Sequence, residues 1–142
     1  MLRKKSQQLQ LGFDAPEGLP AQSSEVAAAL RQLSTGSVDD RGAIFTRPEV
    51  VEFILDLVGY TPEQPLHRRR LLEPAFGHGD FLLPAIDRLL RAWRADRRPR
   101  PERLSLLESS LRGVELHVAS FVETRGRVEA RLRDEKFSAA EI

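Results

Sequence analysis

Leu71-Leu72-Glu73-Pro74-Ala75-Phe76-Gly77-His78-Gly79-Asp80-Phe81-Leu82-Leu83 decides how the rest of the chain is read. It has the pattern of a short buried strand, an acid, a turn with two glycines and the start of a helix. In open α/β sheets, ligands bind where strand ends meet helix beginnings. Gly77 and Gly79 flank His78, so the backbone can approach a ligand where a Cβ would collide. The helix that follows offers its first N–H groups to a negative group.

The dinucleotide fingerprint requires a third glycine where Leu82 stands, and the phosphate loop requires a Gly-Lys-Ser/Thr run that is absent here. Glu73 is the more informative residue. A carboxylate at the strand end repels a pyrophosphate and welcomes a cation or an ammonium group. That suits S-adenosylmethionine, which has an amino-acid tail, a sulfonium and no phosphate. An ordinary strand–turn–helix connection uses glycines in the same way, so this stretch alone leaves both readings open.

The 142 residues are enough for one ordinary domain, and 41% hydrophobic with 30% charged residues is a globular balance. A net charge of +1 gives no whole-chain field for nucleic acid. With no cysteine, disulfides, thiolate zinc sites and a cysteine nucleophile are excluded. His67, His78 and His117 have no metal-ligand spacing, so no metal site is expected. No apolar run reaches membrane-spanning length, and Ser6-Gln7-Gln8-Leu9-Gln10 is no signal-peptide core. A cytoplasmic, reducing compartment is the default expectation.

Residues 1–22 read as a flexible arm, basic at Arg3, Lys4 and Lys5 and broken by Gly12, Pro16, Gly18 and Pro20. Residues 23–60 form a second segment of N-terminal helices. Val26, Leu30 and Leu33 recur at helical spacing. Thr46 and Glu49 then have the spacing of a capping box, with Pro48 in the first turn. The helix they open is expected to turn Val50, Val51, Ile54, Leu55, Leu57 and Val58 inward, to set Glu49, Glu52 and Asp56 on its outer face, and to stop at Gly59.

Residues 61–142 carry the glycine turn. A helix from about Asp80 to Trp93 has a wide apolar stripe, and Pro99 and Pro101 open another with Leu104, Leu107 and Leu111 on one side. Leu111-Arg112-Gly113-Val114-Glu115-Leu116 reads as a second short strand ending in an acid, followed by a helix from about His117 to Arg133. The order is β-α-β-α with an extra helix in the first crossover, which means parallel strands. An acid ending the second strand of a nucleotide-binding half accepts hydrogen bonds from ribose hydroxyls, and Glu115 stands there. A lone strand-end glutamate is usually solvated. Coupled to Glu73 and the glycine turn, it favours adenosyl binding.

Gly42-Ala43-Ile44-Phe45-Thr46-Arg47-Pro48-Glu49, Glu73-Pro74-Ala75-Phe76-Gly77-His78-Gly79-Asp80-Phe81-Leu82 and Gly113-Val114-Glu115 resemble three successive motifs of adenine-N6 DNA methyltransferases of the restriction–modification type. The resemblance implies an α/β, incomplete Rossmann-like methyltransferase fold, with parallel strands, flanking helices and N-terminal helices before them. It implies S-adenosylmethionine as cofactor. Phe45 and Thr46 would border the methionine tail, with Thr46 on its carboxylate, and Glu73 would hold the ammonium. Pro74, Ala75, Phe76, Gly77, His78 and Gly79 form the loop, of which Phe76 to Gly79 would wrap the methionine and ribose by backbone. Glu115 would bind the ribose hydroxyls, with Leu116 beside it. The family often has Asp at the position of Glu73 and a small residue at that of His78, so His78 would have to point outward.

The family's catalytic Asn/Asp-Pro-Pro-Tyr/Phe run, which grips the flipped adenine, is absent. The resemblance therefore implies only the N-terminal cofactor half, with no catalytic residue and no activity in isolation. Ser138-Ala139-Ala140-Glu141-Ile142 looks like the opening of a further helix. Two strands cannot make a covered parallel sheet, so a missing C-terminal half or a partner subunit is expected to complete the fold. DNA would be the partner of the complete enzyme. Two alternatives stay open. One is a non-catalytic DNA-binding or subunit-assembly module using the basic arm, Arg68–Arg70 and the arginines from Arg91 to Arg100. The other is a methyltransferase for a small molecule, because a cofactor half does not name the acceptor.

Overall fold

In a computed structural model, residues 46–142 are described, together with Ala28. The arm expected at 1–22, the helix expected at 23–33 apart from Ala28, and Phe45 lie outside the described residues. The described order is α1 (Pro48–Leu57), a 3-10 turn (Leu66–Arg68), β1 (Leu71–Glu73), α2 (Leu82–Ala95), α3 (Arg100–Ser110), β2 (Leu111–Gly113) and α4 (Val118–Asp134). It is a mixed α/β arrangement around a two-stranded parallel sheet, as the βαβ pattern requires.

Leu71 pairs with Leu111, Leu72 with Arg112 and Glu73 with Gly113. Side chains alternate across the strands. Leu111 and Gly113 are therefore buried on one face, while Leu72 is 64% exposed beside an exposed Arg112 on the other. Both strands are shorter than five residues, and Glu115 falls beyond the end of β2. Pairing continues one residue further through the Val114 N–H, which donates to the Glu73 carbonyl at 2.8 Å.

Helix α2 is the centre of the core. Leu82, Leu83, Ala85, Ile86, Leu89, Leu90, Ala92 and Trp93 are all buried. Pro84 lies in its first turn, where a missing N–H leaves no bond unmade. The same helix buries one cation. Arg88 donates to Asp56 Oδ1 at 2.6 Å and to the Tyr60 carbonyl at 3.0 Å, and it is paired with Glu52. Glu52 and Asp56 were expected on a solvated outer face. Both are exposed, as that placement requires, and they also dock α1 onto α2, because a buried guanidinium is tolerable only when it is paired.

Helix α1 departs from its sequence reading in two ways. Arg47, not Thr46, is the N-cap residue, and no side chain caps the helix. Pro48 explains the shift, since it drives the preceding residue to an extended conformation, and Arg47 has φ −61° and ψ 140°. Only Val51 and Leu55 are fully buried, whereas Val50, Phe53, Leu57 and Val58 are exposed. The stop at Gly59 is as expected. Its φ is +66°, and Tyr60 N–H reaches back to the Leu55 carbonyl at 2.8 Å.

The turn before β1 is locked to the α2–α3 junction by a small ionic cluster. His67 is buried, with Nε2 3.3 Å from Asp96 and in contact with Arg98. Hydrogen bonds from Arg98 hold the Asp96 carboxyl down at about 2. Burial pushes the His67 imidazole below its ordinary value against the opposing pull of Asp96. A second seam closes at the C-terminal end. Arg100 lies 5.1 Å from the Phe137 ring centre and bonds both carboxylate oxygens of Glu141 at 2.9 Å. Ser138 N–H and Oγ also donate to that carboxylate, so the last residues form a hydrogen-bonded turn.

Candidate functional site

The glycine turn sits between β1 and α2, as the sequence predicts, and both of its glycines have positive φ. Gly77 has +50° and Gly79 has +85°, a region that a side chain with a Cβ adopts only with strain. The two glycines differ in their surroundings. A Cβ on Gly79 would lie 2.9 Å from Leu83 and from Thr124 Cγ2, so this glycine lets α2 and α4 come close. A Cβ on Gly77 would meet nothing within 4 Å. Gly77 therefore presents bare backbone to open space.

Glu115 reaches this turn. Its Oε2 accepts the Gly77 N–H at 2.6 Å and its Oε1 accepts the His117 N–H at 2.7 Å. The second strand's acid and the first strand's glycine loop are thus brought together across 38 positions of sequence. Each carboxylate oxygen keeps a second lone pair for another donor. Glu73 stands at the neighbouring strand tip, half-buried, and its Oε1 lies 3.4 Å from the Ala75 N–H, at the long limit of a hydrogen bond.

The other residues singled out by sequence divide by position. Pro74 and Ala75 are exposed at the head of the loop. Phe76 is buried, with its ring 5.9 Å from that of Phe121 and against Gly113, where an added Cβ would come within 2.9 Å of it. Its ring belongs to the core, and only its backbone faces the loop. His78 is half-buried, and its Nδ1 lies 3.2 Å from Glu123 of α4. Leu116 is 43% exposed next to Glu115. Thr46 is half-buried just before α1.

Sequence reasoning missed the residues that hold the turn from the far side. Thr124 on α4 donates from Oγ1 to the Gly77 carbonyl at 2.8 Å, and Arg127 donates to the His78 carbonyl at 2.6 Å. A faint signal was available. Ser120, Thr124, Val128 and Leu132 are the buried residues of α4, a stripe at steps of four whose first two members are small and polar. By contrast, Val118 and Val122 of the same helix are exposed.

Three of the eight described arginines offered as an alternative nucleic-acid surface are matched within the chain, while Arg68, Arg69, Arg70, Arg91 and Arg97 have no ion pair among the described residues. Arg94 pairs with Glu135, Arg98 with Asp96 and Glu102, and Arg100 with Glu141. Cations already paired have less to offer a phosphate backbone. Among the described residues no group of histidines and carboxylates could hold a metal ion, and no helix is long and apolar enough to cross a membrane.

Comparison with known proteins adds independent support. No protein-family model and no solved structure matches the chain. It is 56% identical over 115 residues to the Type II methyltransferase M.PaeR7I of Pseudomonas aeruginosa, a match covering 80% of this chain and 20% of that protein. It is 50% identical over 94 residues to the Type II methyltransferase M.XhoI of Xanthomonas vasicola, covering 66% of this chain and 17% of that protein. A third relative, the Type II methyltransferase M.BstVI of Geobacillus stearothermophilus, is 39% identical over 102 residues, which are 71% of this chain and 18% of that protein. Over most of its own length, then, this chain is similar to about one fifth of each of three Type II methyltransferases.

Proposed function

We propose that this chain is the S-adenosylmethionine-binding portion of a site-specific adenine-N6 DNA methyltransferase with a Rossmann-like fold. The observation that carries the reading is the Glu115–Gly77 hydrogen bond of 2.6 Å. It joins an acid suited to ribose hydroxyls to a turn whose backbone is open on the Gly77 side. The similarity to Type II methyltransferases supports the same reading.

The residues fit the cofactor by charge and exposure. Glu73 would take the ammonium group, Thr46 the methionine carboxylate, and the backbone from Phe76 to Gly79 the methionine and ribose. Glu115 would accept from the ribose hydroxyls through the lone pairs left by Gly77 and His117, with Leu116 as an apolar neighbour. When bound, the cofactor supplies a methyl group activated by its sulfonium. The chain's own part is to bind and orient that group. In the complete enzyme this chain's residues would hold that methyl in line with the adenine amino nitrogen, and such positioning would supply most of the rate. The chain contains no Asn/Asp-Pro-Pro-Tyr/Phe run to hold the base, so the portion would be inactive alone and completed by further strands.

Calorimetric titration of S-adenosylmethionine into the full chain tests the reading. Binding is expected, and Glu115→Gln should weaken it by about tenfold or more, the scale of a hydrogen bond to a charged group. A folded chain that gives no heat overturns the proposal.

A further inference from the structure

We infer that Thr124 is a positioning residue for the cofactor turn, and that α4 sets the conformation in which the turn binds. This rests on the cofactor reading proposed above and adds residues that the reading did not contain. The starting point is the contrast between the two glycines. Gly79 is wedged in place by Leu83 and Thr124, so packing fixes it. Gly77 has open space around it, and glycine is the residue with the widest backbone freedom. Packing therefore cannot hold Gly77 at φ +50°. Hydrogen bonds can, and both of its peptide groups are bonded.

The Gly77 N–H is taken by Glu115, two residues beyond β2, and the Gly77 carbonyl takes the Thr124 hydroxyl from α4 at 2.8 Å. Each peptide group is a rigid plane, so rotating either plane about Gly77 breaks one of these bonds. Arg127, one turn further along α4, holds the next carbonyl, that of His78, at 2.6 Å. Thr124 also does two jobs with one side chain. Its hydroxyl fixes Gly77, and its methyl fills the notch beside Gly79. It has no exposed surface, so the hydroxyl does not exchange with water. Glu115 and Thr124 are consequently coupled through a single residue. Moving the Gly77 carbonyl also moves the N–H that orients the carboxylate for a ribose.

The two jobs can be separated by substitution. Thr124→Val keeps the shape and removes the hydroxyl, while Thr124→Ser keeps the hydroxyl and trims the methyl. Titration of S-adenosylmethionine into the full chain should show Thr124→Val binding about five- to tenfold more weakly, the scale of one hydrogen bond, with Thr124→Ser restoring most of the affinity. The double variant Thr124→Val with Glu115→Gln should lose less than the product of the single losses, because both act on Gly77. Arg127→Ala, at an exposed position, should weaken binding about two- to fivefold without unfolding the chain. If the unaltered chain binds while Thr124→Val and Arg127→Ala bind as tightly as it does, this inference is wrong and the cofactor reading stands. If the folded, unaltered chain does not bind, the cofactor reading is what fails. Should Thr124→Val not fold, the affinity of Arg127→Ala decides.

Discussion

Helices α1 and α2 carry similar amphipathic stripes and end up in different circumstances. In α2 the apolar residues and the buried residues are almost the same set. In α1 half of the apolar residues lie in water, among them Phe53 at 64% and Leu57 at 72% exposure. The difference comes from their neighbours. Helix α2 packs against α1, the 3-10 turn and α4, whereas α1 makes its main described contact with α2 alone. An apolar stripe says which residues a helix can bury, and the number of elements around it decides how many it does. Val51 and Leu55 anchor α1 in the core, and Arg88 on α2 reaches across to Glu52 and Asp56 as a second, polar fastening.

If α2 is the centre, truncating it should cost the most. Leu89→Ala, at a site 2% exposed, should destabilise the chain by about 2–5 kcal/mol in denaturant unfolding. A loss under about 1 kcal/mol would break the distinction between the helices. Gly113→Ala tests the floor of the candidate site and should cost about 1–3 kcal/mol, because the new methyl runs into the Phe76 ring.

Acid should loosen the ionic seams. Asp96 and Glu141 are held at about 2, below their ordinary 3.8 and 4.5, by Arg98 and Arg100. Depressed carboxylates contribute stability above their ordinary values and lose it as pH falls through the depressed ones. His67, lowered by burial from 6.5, works in the same direction from a higher starting point, because only the unfolded chain takes up its proton easily. Thermal melts should therefore fall in two stages, first below about pH 6.5 and then between about pH 4.5 and 2. A melting temperature flat down to pH 3 would show that these seams add nothing. The smallest effect belongs to α1. Phe53→Ser should change stability by no more than about 0.5 kcal/mol, and a larger loss would mean that the exposed face is covered.

The same contrast shows what the sequence could reveal. The β-α-α-β-α order, the glycine turn, the stop at Gly59 and the acid after β2 were legible because each rests on local chemistry: a glycine where φ is positive, a proline where an N–H is spare, an apolar run between turns. The cap moved from Thr46 to Arg47 because Pro48 acts on the residue before it, and capping-box spacing does not register that effect. The exposure of Val50, Leu57 and Val58 depends on neighbours, which a periodic pattern does not count. The bonds that Thr124 and Arg127 make to the turn were not legible for a further reason. Their partners, Gly77 and His78, are 47 and 49 positions away and are backbone carbonyls, which carry no residue-type signature.

Trp93 is the only tryptophan in the chain, and it lies in the C-terminal seam. It is 4% exposed, 5.2 Å from Phe137, with Arg103 at 4.4 Å and Arg100 at 5.9 Å from its ring centre. Its emission is thus an optical reporter from a single known place. The other end of the same helix, at Leu82, adjoins the glycine turn, about 16 Å away at the rise of an α-helix. A fluorescence change on adding ligand would mean that α2 transmits strain along its length, and an unchanged signal that it is a stiff strut.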